Sequence, residues 1–341
     1  MNNMDKPHVN WVDHAKGLGI VLVVYGHVSD GLFRAGIPFP EAAFRIPYDL
    51  IYTFHMPLFF FLSGLFFPAS WQRRGGVGLI KNKVDTIVYP YVLWSLIQGL
   101  VEVVFSKYTN RQVTLTEVLA FPWHPRQQFW FLYALFFVFV LACIAYRWLP
   151  PRWRPLILVL AATAFVFKDH VPRMVTLYFL AANSVFFLVG AALPRLADKS
   201  YRAGTGAFIV SLMVFAALQA AFQMTRPMLP PPWFNASLLV VGVVSIGCVV
   251  VVSSWSSQSG GAWLALLGKH SLAIFLMHTL WASGVRIVLH KFLGIDVLVL
   301  HLILGTVIGL GGPLLAVILL ERWNIEGFFA APPRLQMARP R

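Results

Sequence analysis

Long apolar runs recur from one end of this chain to the other, and they constrain its fold more than any other feature. Of the 341 residues, 58% are hydrophobic and only 12% are charged, and the mean hydropathy is +0.72. An ordinary soluble domain has about 25% charged residues, so water cannot be the main solvent of this chain. Runs of about 18 to 25 apolar residues are long enough to cross a bilayer as helices. The sequence therefore predicts an all-α integral membrane protein embedded in a lipid bilayer.

We predict a bundle of about ten transmembrane helices that forms a single domain over residues 1–341. The larger share of the 27 basic residues, Lys6 and Arg341 among them, falls in the segments on the side of the two termini. Because basic residues accumulate in cytoplasmic loops, both termini are predicted to be cytoplasmic. An even number of spans agrees with this orientation. The predicted spans are 15–33, 48–68, 84–105, 128–147, 156–170, 174–194, 205–224, 236–255, 270–290 and 296–320.

The net charge of +14 does not indicate a nucleic-acid partner. The basic residues lie in short loops between apolar runs, which is the pattern of membrane topology rather than of a nucleic-acid face. The two cysteines, Cys143 and Cys248, lie within apolar runs, which favours a packing role over a disulfide framework. No closely spaced ligand run such as His-Glu-x-x-His occurs, so we predict no metal site.

Three histidines within the predicted spans are the first candidates for function. His27 follows Lys16 by eleven residues, which at about 1.5 Å per residue places it about 16 Å deeper, near the middle of the apolar core. His55 on the second span and His278 on the ninth reach comparable depths. Ionisable groups in a bilayer usually face a bundle interior or a wet cavity, which makes these three candidates for catalysis. The alternative is that each ring bonds a neighbouring helix and only fixes packing.

A basic cluster precedes the third span on the predicted inner side. It contains Arg73, Lys81 and Lys83. Together with Lys16, these residues are candidates to hold the phosphates of an anionic cofactor, because Lys and Arg are the usual phosphate partners. Positive-inside orientation alone explains the same cluster equally well.

The predicted outer segment before the fourth span is rich in aromatic residues. Trp123, His124 and Trp130 lie where a substrate arriving from outside would approach. We therefore treat these three residues as substrate-binding candidates. An interfacial belt of tryptophans is the alternative explanation.

Four segments resemble the membrane-bound acyltransferase 3 family, especially its branch similar to polysaccharide O-acetyltransferases. These segments are Trp11–His27, Phe54–Phe66, Phe129–Leu132 and Leu267–His278. In the family, the first helix carries an arginine and, eleven positions later, a histidine implicated in catalysis. This chain has Lys16 and His27 at that spacing, and lysine keeps the charge but lacks the bidentate fork of arginine. The family's basic cluster before the third helix corresponds to Lys81 and Lys83.

The resemblance implies an O-acetyltransferase of the bacterial cytoplasmic (inner) membrane. Its expected activity is to move an acyl group, usually acetyl, from cytoplasmic acetyl-CoA to a hydroxyl of an exopolysaccharide or a lipid-linked oligosaccharide. His27 would then be the general base that accepts the proton of the hydroxyl. Lys16 would position the CoA end, and His55, His278 or Trp130 would orient the acceptor or stabilise the oxyanion. The acyl group could pass directly or through a covalent acyl-histidine.

Two other functions fit the residues taken alone. A multi-pass exporter of glycans or lipid-linked sugars could use the histidines as a proton relay. Transporters often consist of two related halves, and the sequence shows no such symmetry. A structural membrane partner of a glycan assembly complex would require no chemistry from His27, His55 or His278.

Overall fold

The structure, a computed structural model, describes residues 10–172, 174–198 and 201–338. Lys6 and Arg341, which contribute to the predicted orientation, lie outside the described residues. Over the described ranges the regular structure is helical and no strand occurs. The α-helices are α1 (Asn10–Arg34), α2 (Glu41–Tyr52), α3 (His55–Leu65), α4 (Phe67–Lys83), α5 (Tyr89–Val104), α6 (Leu115–Leu119), α7 (Trp130–Trp148), α8 (Arg154–Val166), α9 (Val175–Ala192), α10 (Thr205–Thr225), α11 (Pro231–Ser259), α12 (Ala262–Lys269), α13 (Ser271–Arg286) and α14 (Leu298–Arg322).

Many of these helices are long and apolar enough to cross a membrane, so the prediction of an all-helical membrane protein is confirmed. Within the described residues, seven helical stretches satisfy both conditions, and the one that contains α4 is kinked at Gly75. The count of ten spans and the position of the termini stay predictions. The seven stretches are Phe67–Val104, Gln127–Trp148, Val175–Ala192, Thr205–Met228, Pro231–Ser259, Ser271–Phe292 and Leu298–Arg322.

Three predicted spans fall on helices outside this group. The span 15–33 lies in α1, whose 25 residues are long enough but include several charged side chains. The span 48–68 is divided, because Pro57 in the first turn of α3 has no N–H to donate to the carbonyl of Thr53. The span 156–170 corresponds to α8, which has only 13 residues.

Two short stretches, Val84–Val88 and Ile287–Phe292, are wound as π-helix. The first contains the buried Asp85, whose carboxylate oxygens accept the backbone amides of Met337 and Ala338 at 2.8 and 2.9 Å. The backbone carbonyl of Asp85 also accepts the amide of Ala331 at 2.9 Å. The segment that follows α14 is therefore attached to the start of α5.

The described residues form two compact units, each assembled from separate stretches of the chain. The first unit comprises the described residues of 10–19, 52–73 and 145–269. The second unit comprises those of 20–51, 74–144 and 270–338.

Glycines set the closest helix packing in the first unit. A Cβ added to Gly64 of α3 would lie 1.9 Å from the carbonyl oxygen of Phe187 on α9. A Cβ on Gly190 of α9 would lie 2.1 Å from the carbonyl oxygen of Phe61 on α3. Only residues without a side chain allow two backbones to approach so closely, which is typical of helix pairs in membranes.

Glycines of α14 have the same role in the second unit. A Cβ on Gly305 or Gly309 would lie 2.9 Å from the side chain of Val28 or Val24 on α1. A Cβ on Gly312 would lie 2.3 Å from the indole of Trp281 on α13. This packing holds α14 against the second half of α1 and against α13, the two helices that carry His27 and His278.

Candidate active site

Two of the three predicted histidines meet in the second unit. The ring centroids of His27 and His278 are 5.1 Å apart, and their planes are inclined at 50°. His278 is completely buried at 0% exposure, whereas His27 is half-buried. His27 is therefore the more exposed residue of this histidine pair.

The hydrogen bonds of His278 determine its tautomer. Its Nδ1 lies 3.0 Å from the carbonyl oxygen of Ile274 and 2.9 Å from that of Phe275, one helical turn earlier. Because carbonyl oxygens only accept, Nδ1 must carry the proton that these two oxygens share. When the ring is neutral, Nε2 is an acceptor, and within the described part of the chain this nitrogen has no hydrogen-bond partner. The ring next to His27 thus offers an unoccupied basic nitrogen.

A network of side-chain hydrogen bonds begins at the residue that follows His278. Thr279 Oγ1 donates to Gln98 Oε1 at 2.8 Å. Gln128 Nε2 donates to the same Gln98 oxygen at 2.7 Å and to Thr279 Oγ1 at 3.0 Å. The network therefore connects α5, α13 and the turn before α7, and it fixes the register of α13 at the histidine pair.

The network continues to an ion pair at the end of α5. Gln98 Nε2 donates to Glu102 Oε1 at 2.9 Å, and Glu102 Oε2 accepts from Arg126 Nη2 at 2.7 Å. Gln127 Nε2 donates to Glu102 Oε1 at 2.6 Å. The sequence did not identify Gln98 or Gln128 as functional candidates. The signal that could have identified them is an uncharged amide side chain within or beside an apolar run.

A buried arginine on α13 was also missed. Arg286 is 7% exposed, and its guanidinium donates to Asn110 Oδ1. Asn110 Nδ2 donates in turn to the carbonyl oxygen of Gly31 at 3.1 Å, one turn after His27 on α1. No carboxylate of the described ranges forms an ion pair with Arg286. Asn110 therefore bridges α1 and α13, the two helices that carry His27 and His278.

The third predicted histidine belongs to the first unit. His55 is buried at the start of α3, and its ring meets that of Tyr52 edge-on at 4.6 Å. The same unit contains another buried histidine, His14, whose Nδ1 lies 3.0 Å from Ser256 Oγ. No group of three or more potential metal-binding side chains (His, Cys, Asp or Glu) is found in the ranges that the structure covers.

The predicted phosphate-binding cations are divided between the two units. Lys81 and Lys83 belong to the second unit, where Lys81 is exposed and Lys83 Nζ lies 4.3 Å from the ring centroid of Phe139. Lys16 and Arg73 belong to the first unit, where Arg73 is exposed and Lys16 is half-buried. Exposed or partly exposed cations of this kind are suited to bind phosphate.

The predicted outer segment remains accessible to solvent. Trp123 is 62% exposed and His124 is also exposed, whereas Trp130 is half-buried at the start of α7. The backbone at His124 is fixed locally, since His124 N donates to the carbonyl oxygen of Ala120 at 2.8 Å. The exposed side chains of Trp123 and His124 are accessible to a ligand.

Comparison with known proteins places the chain in a family. The family model of the acyltransferase 3 group, described as an acyltransferase domain, matches residues 9–322. The nodulation protein NolL of Mesorhizobium japonicum is 31% identical over 135 residues, which are 38% of this chain and 34% of that protein. The chain thus spans about a third of the length of this curated relative. No solved structure matches. The chain belongs to the acyltransferase 3 family, whose model is described as an acyltransferase domain.

Proposed function

We propose that this protein is an O-acetyltransferase that moves an acetyl group from cytoplasmic acetyl-CoA to a hydroxyl of an exopolysaccharide or another cell-surface glycan. The observation that carries the proposal is the half-buried His27 next to His278, whose Nδ1 is bonded to two carbonyl oxygens. Family membership supports acyl transfer. The proposed location is the bacterial inner membrane, where a cytoplasmic thioester and an exported glycan meet.

His27 would act as the general base. A sugar hydroxyl is a weak nucleophile near neutral pH, so its attack on a thioester carbonyl requires a group that removes its proton. His27 accepts that proton as the new C–O bond forms. When the C–S bond breaks, the His27 imidazolium returns the proton to the departing thiolate, so the protein regains its starting state. General bases of this kind contribute about 10²- to 10⁴-fold in rate.

His278 would support this proton transfer as a positioning residue. Its Nδ1–H is held by two carbonyl oxygens, so its unprotonated Nε2 is fixed in direction. An acceptor nitrogen beside His27 can take a hydrogen bond from the imidazolium that forms when His27 removes the proton. Such a bond favours the charged form, which is the one present in the transition state.

Charged and aromatic residues at the predicted membrane surfaces would bind the two substrates. We assign the CoA phosphates to Lys81 and Lys83 of the second unit, since cations of this type bind phosphate. We assign the glycan to the outer segment with Trp123, His124 and Trp130, which belongs to the same unit.

Radiolabelled acetyl-CoA, added to membranes that contain the protein and the cell's own glycan, tests this proposal. The His27→Gln variant is expected to lose about 10²-fold or more of the transfer rate. His301→Gln is a matched control, because His301 is also a buried histidine in the second unit, with Nε2 2.8 Å from the carbonyl oxygen of Ile295. This control should retain the activity.

Wild-type acetylation by His27→Gln would contradict the assignment of the base. Proton-coupled flux of glycan in vesicles that lack any acyl donor would instead favour an exporter. Mass spectrometry of the surface glycan, with and without the protein, identifies the acyl group and thereby tests the donor.

A further inference from the structure

The first unit contains an apolar cavity of about 230 Å³. Its walls come from α3, α9 and α11 and from the connection after α9, with Phe61, Phe186, Leu196, Tyr201, Ile246 and Gly247 among the lining residues. Apolar cavities of about 150 Å³ in other proteins stay free of water and bind small hydrocarbons. Because α9 and α11 are candidate spans, this cavity lies in helices that lipid chains surround.

Two exposed arginines are adjacent in sequence to lining residues of the cavity, where the chain leaves α9. Leu196 lines the cavity and follows Arg195, and Tyr201 lines the cavity and precedes Arg202. Asp198 is the acidic residue between them, so the described charges of this connection sum to a positive value. An apolar cavity with cations at its edge is complementary to a molecule that joins a hydrocarbon chain to an anionic group.

This edge of the cavity is held in place by a tryptophan. Trp11 Nε1 donates to the carbonyl oxygen of Leu196 at 3.0 Å. The ring of Trp11 also meets that of Tyr201 edge-on, with centroids 6.3 Å apart. Leu196 and Tyr201, the lining residues next to the two arginines in sequence, are therefore held in position by Trp11.

We propose that the cavity binds one hydrocarbon chain of an anionic glycerophospholipid, with the headgroup phosphate at Arg195 and Arg202. The apolar lining excludes a polar ligand, because a buried polar group without a hydrogen-bond partner is costly. The arginines favour an anionic headgroup over a zwitterionic one. This site is separate from the histidine pair and does not depend on the acetyl transfer proposed above.

Gly247 allows the cavity to be obstructed in a controlled way. This residue lines the cavity and is exposed, and a Cβ added to it meets no atom within 4 Å, so a larger side chain fits there without a clash. By contrast, a Cβ on Gly242 would lie 3.1 Å from the ring of Phe186. Gly206 on α10 is a matched control, because it too has open space around an added Cβ but does not line the cavity.

Photolabelling tests the proposal directly. The full-length protein is reconstituted into nanodiscs with a phosphatidylglycerol whose acyl chain carries a diazirine, and labelled peptides are mapped by mass spectrometry. The wild-type protein is expected to be labelled on peptides from α9 and α11. Each methylene excluded from the cavity weakens binding about fourfold, so Gly247→Phe should reduce this labelling at least about tenfold. Gly206→Phe should leave it unchanged.

Equal labelling of wild type and Gly247→Phe would overturn the proposal. If Gly247→Phe is not monodisperse in detergent, Gly247→Leu provides the same comparison with a smaller side chain. The double variant Arg195→Gln, Arg202→Gln should lower labelling by phosphatidylglycerol but not by phosphatidylcholine, and equal losses would overturn the headgroup assignment. Competition by polyprenyl phosphate but not by unlabelled phosphatidylglycerol would assign the cavity to an isoprenoid and overturn our choice of lipid.

Discussion

The neutral tautomer of His278 decides what this side chain can do for His27. One nitrogen is committed to the carbonyl oxygens of Ile274 and Phe275, so the other is available as an acceptor only. That both histidines lie on helices could be predicted from their positions along apolar runs. The contact between the two rings could not be predicted, because it depends on which helices are neighbours. The tautomer of His278 could not be predicted either, because it depends on the rotamer of that side chain.

Substitution of His278 by asparagine separates a positioning role from a catalytic one. The asparagine amide can still donate to the preceding carbonyl oxygens, but it lacks the basic nitrogen. Loss of a general base lowers kcat by about 10²-fold or more. For His278→Asn we expect a smaller fall in kcat for acetyl transfer and an unchanged KM for acetyl-CoA. If His278→Asn were as inactive as His27→Gln, His278 would itself be a base.

Lys168 is another buried ionisable residue, and it lies between α8 and α9, outside the seven candidate spans. Its amine is 2.6 Å from Asn235 Oδ1 and 4.1 Å from the ring centroid of Phe165. The side chain is 8% exposed, and this burial lowers the pKa of Lys168 to about 8. In the unfolded chain the pKa would be about 10.5.

This difference predicts a pH dependence of stability. Below about pH 8 Lys168 is protonated in both the folded and the unfolded chain, so it does not make the free energy of unfolding depend on pH. Between about pH 8 and 10.5 the unfolded chain binds more protons, so the free energy of unfolding should rise with pH through that window. Lys168→Met should lose this rise, as measured by thermal unfolding in detergent at several pH values. Parallel curves for the two proteins would contradict the prediction.

At the level of helices, hydrophobic runs predicted where helices lie but not where they break. The predicted span 48–68 falls on the end of α2, on α3 and on the start of α4, and Pro57 interrupts the backbone hydrogen bonds after Tyr52. The turn Val84–Val88 is π-helical and therefore contains more residues than the 3.6 of an α-helical turn. A helical wheel drawn with 3.6 residues per turn across this stretch therefore assigns later side chains, such as Gln98, to the wrong face of the helix. Glutamines also give no periodic signal, which is why the network around Thr279 was not foreseen.

The packing of α3 on α9 should not tolerate a single methyl group. Gly190→Ala would place its Cβ 2.1 Å from the carbonyl oxygen of Phe61, so the two backbones must separate. Overpacking of this kind costs about 1–3 kcal/mol, and we expect a lower unfolding temperature in detergent. Gly206→Ala, in open space on α10, should have no such effect. Equal unfolding temperatures for the two variants would show that the helices can move apart freely.

For the whole molecule, composition was sufficient to predict a helical membrane protein, and four short segments were sufficient to predict its family. The division into two units could not be predicted. Each unit combines stretches more than 50 residues apart in sequence, such as 52–73 and 145–269. Contacts over such distances leave no periodic pattern in one sequence.

The orientation of the whole chain in the membrane can be tested with fusion proteins. The excess of basic residues on the side of the termini predicts that both termini are cytoplasmic. Green fluorescent protein fused after Arg341 should therefore fluoresce, and alkaline phosphatase at the same position should be inactive. The reverse result for both fusions would place the C-terminus outside.

The attachment of the chain's last described residues to Asp85 has a consequence for biogenesis. The amide of Met337 is 252 residues away in sequence from the carboxylate that it satisfies. At a synthesis rate of about 5 to 20 residues per second, roughly 10 to 50 seconds pass between the appearance of the acceptor and that of its donors. During that interval the carboxylate must be hydrated or held by another partner. The second unit can therefore reach its final form only after the ribosome has added residues 337 and 338.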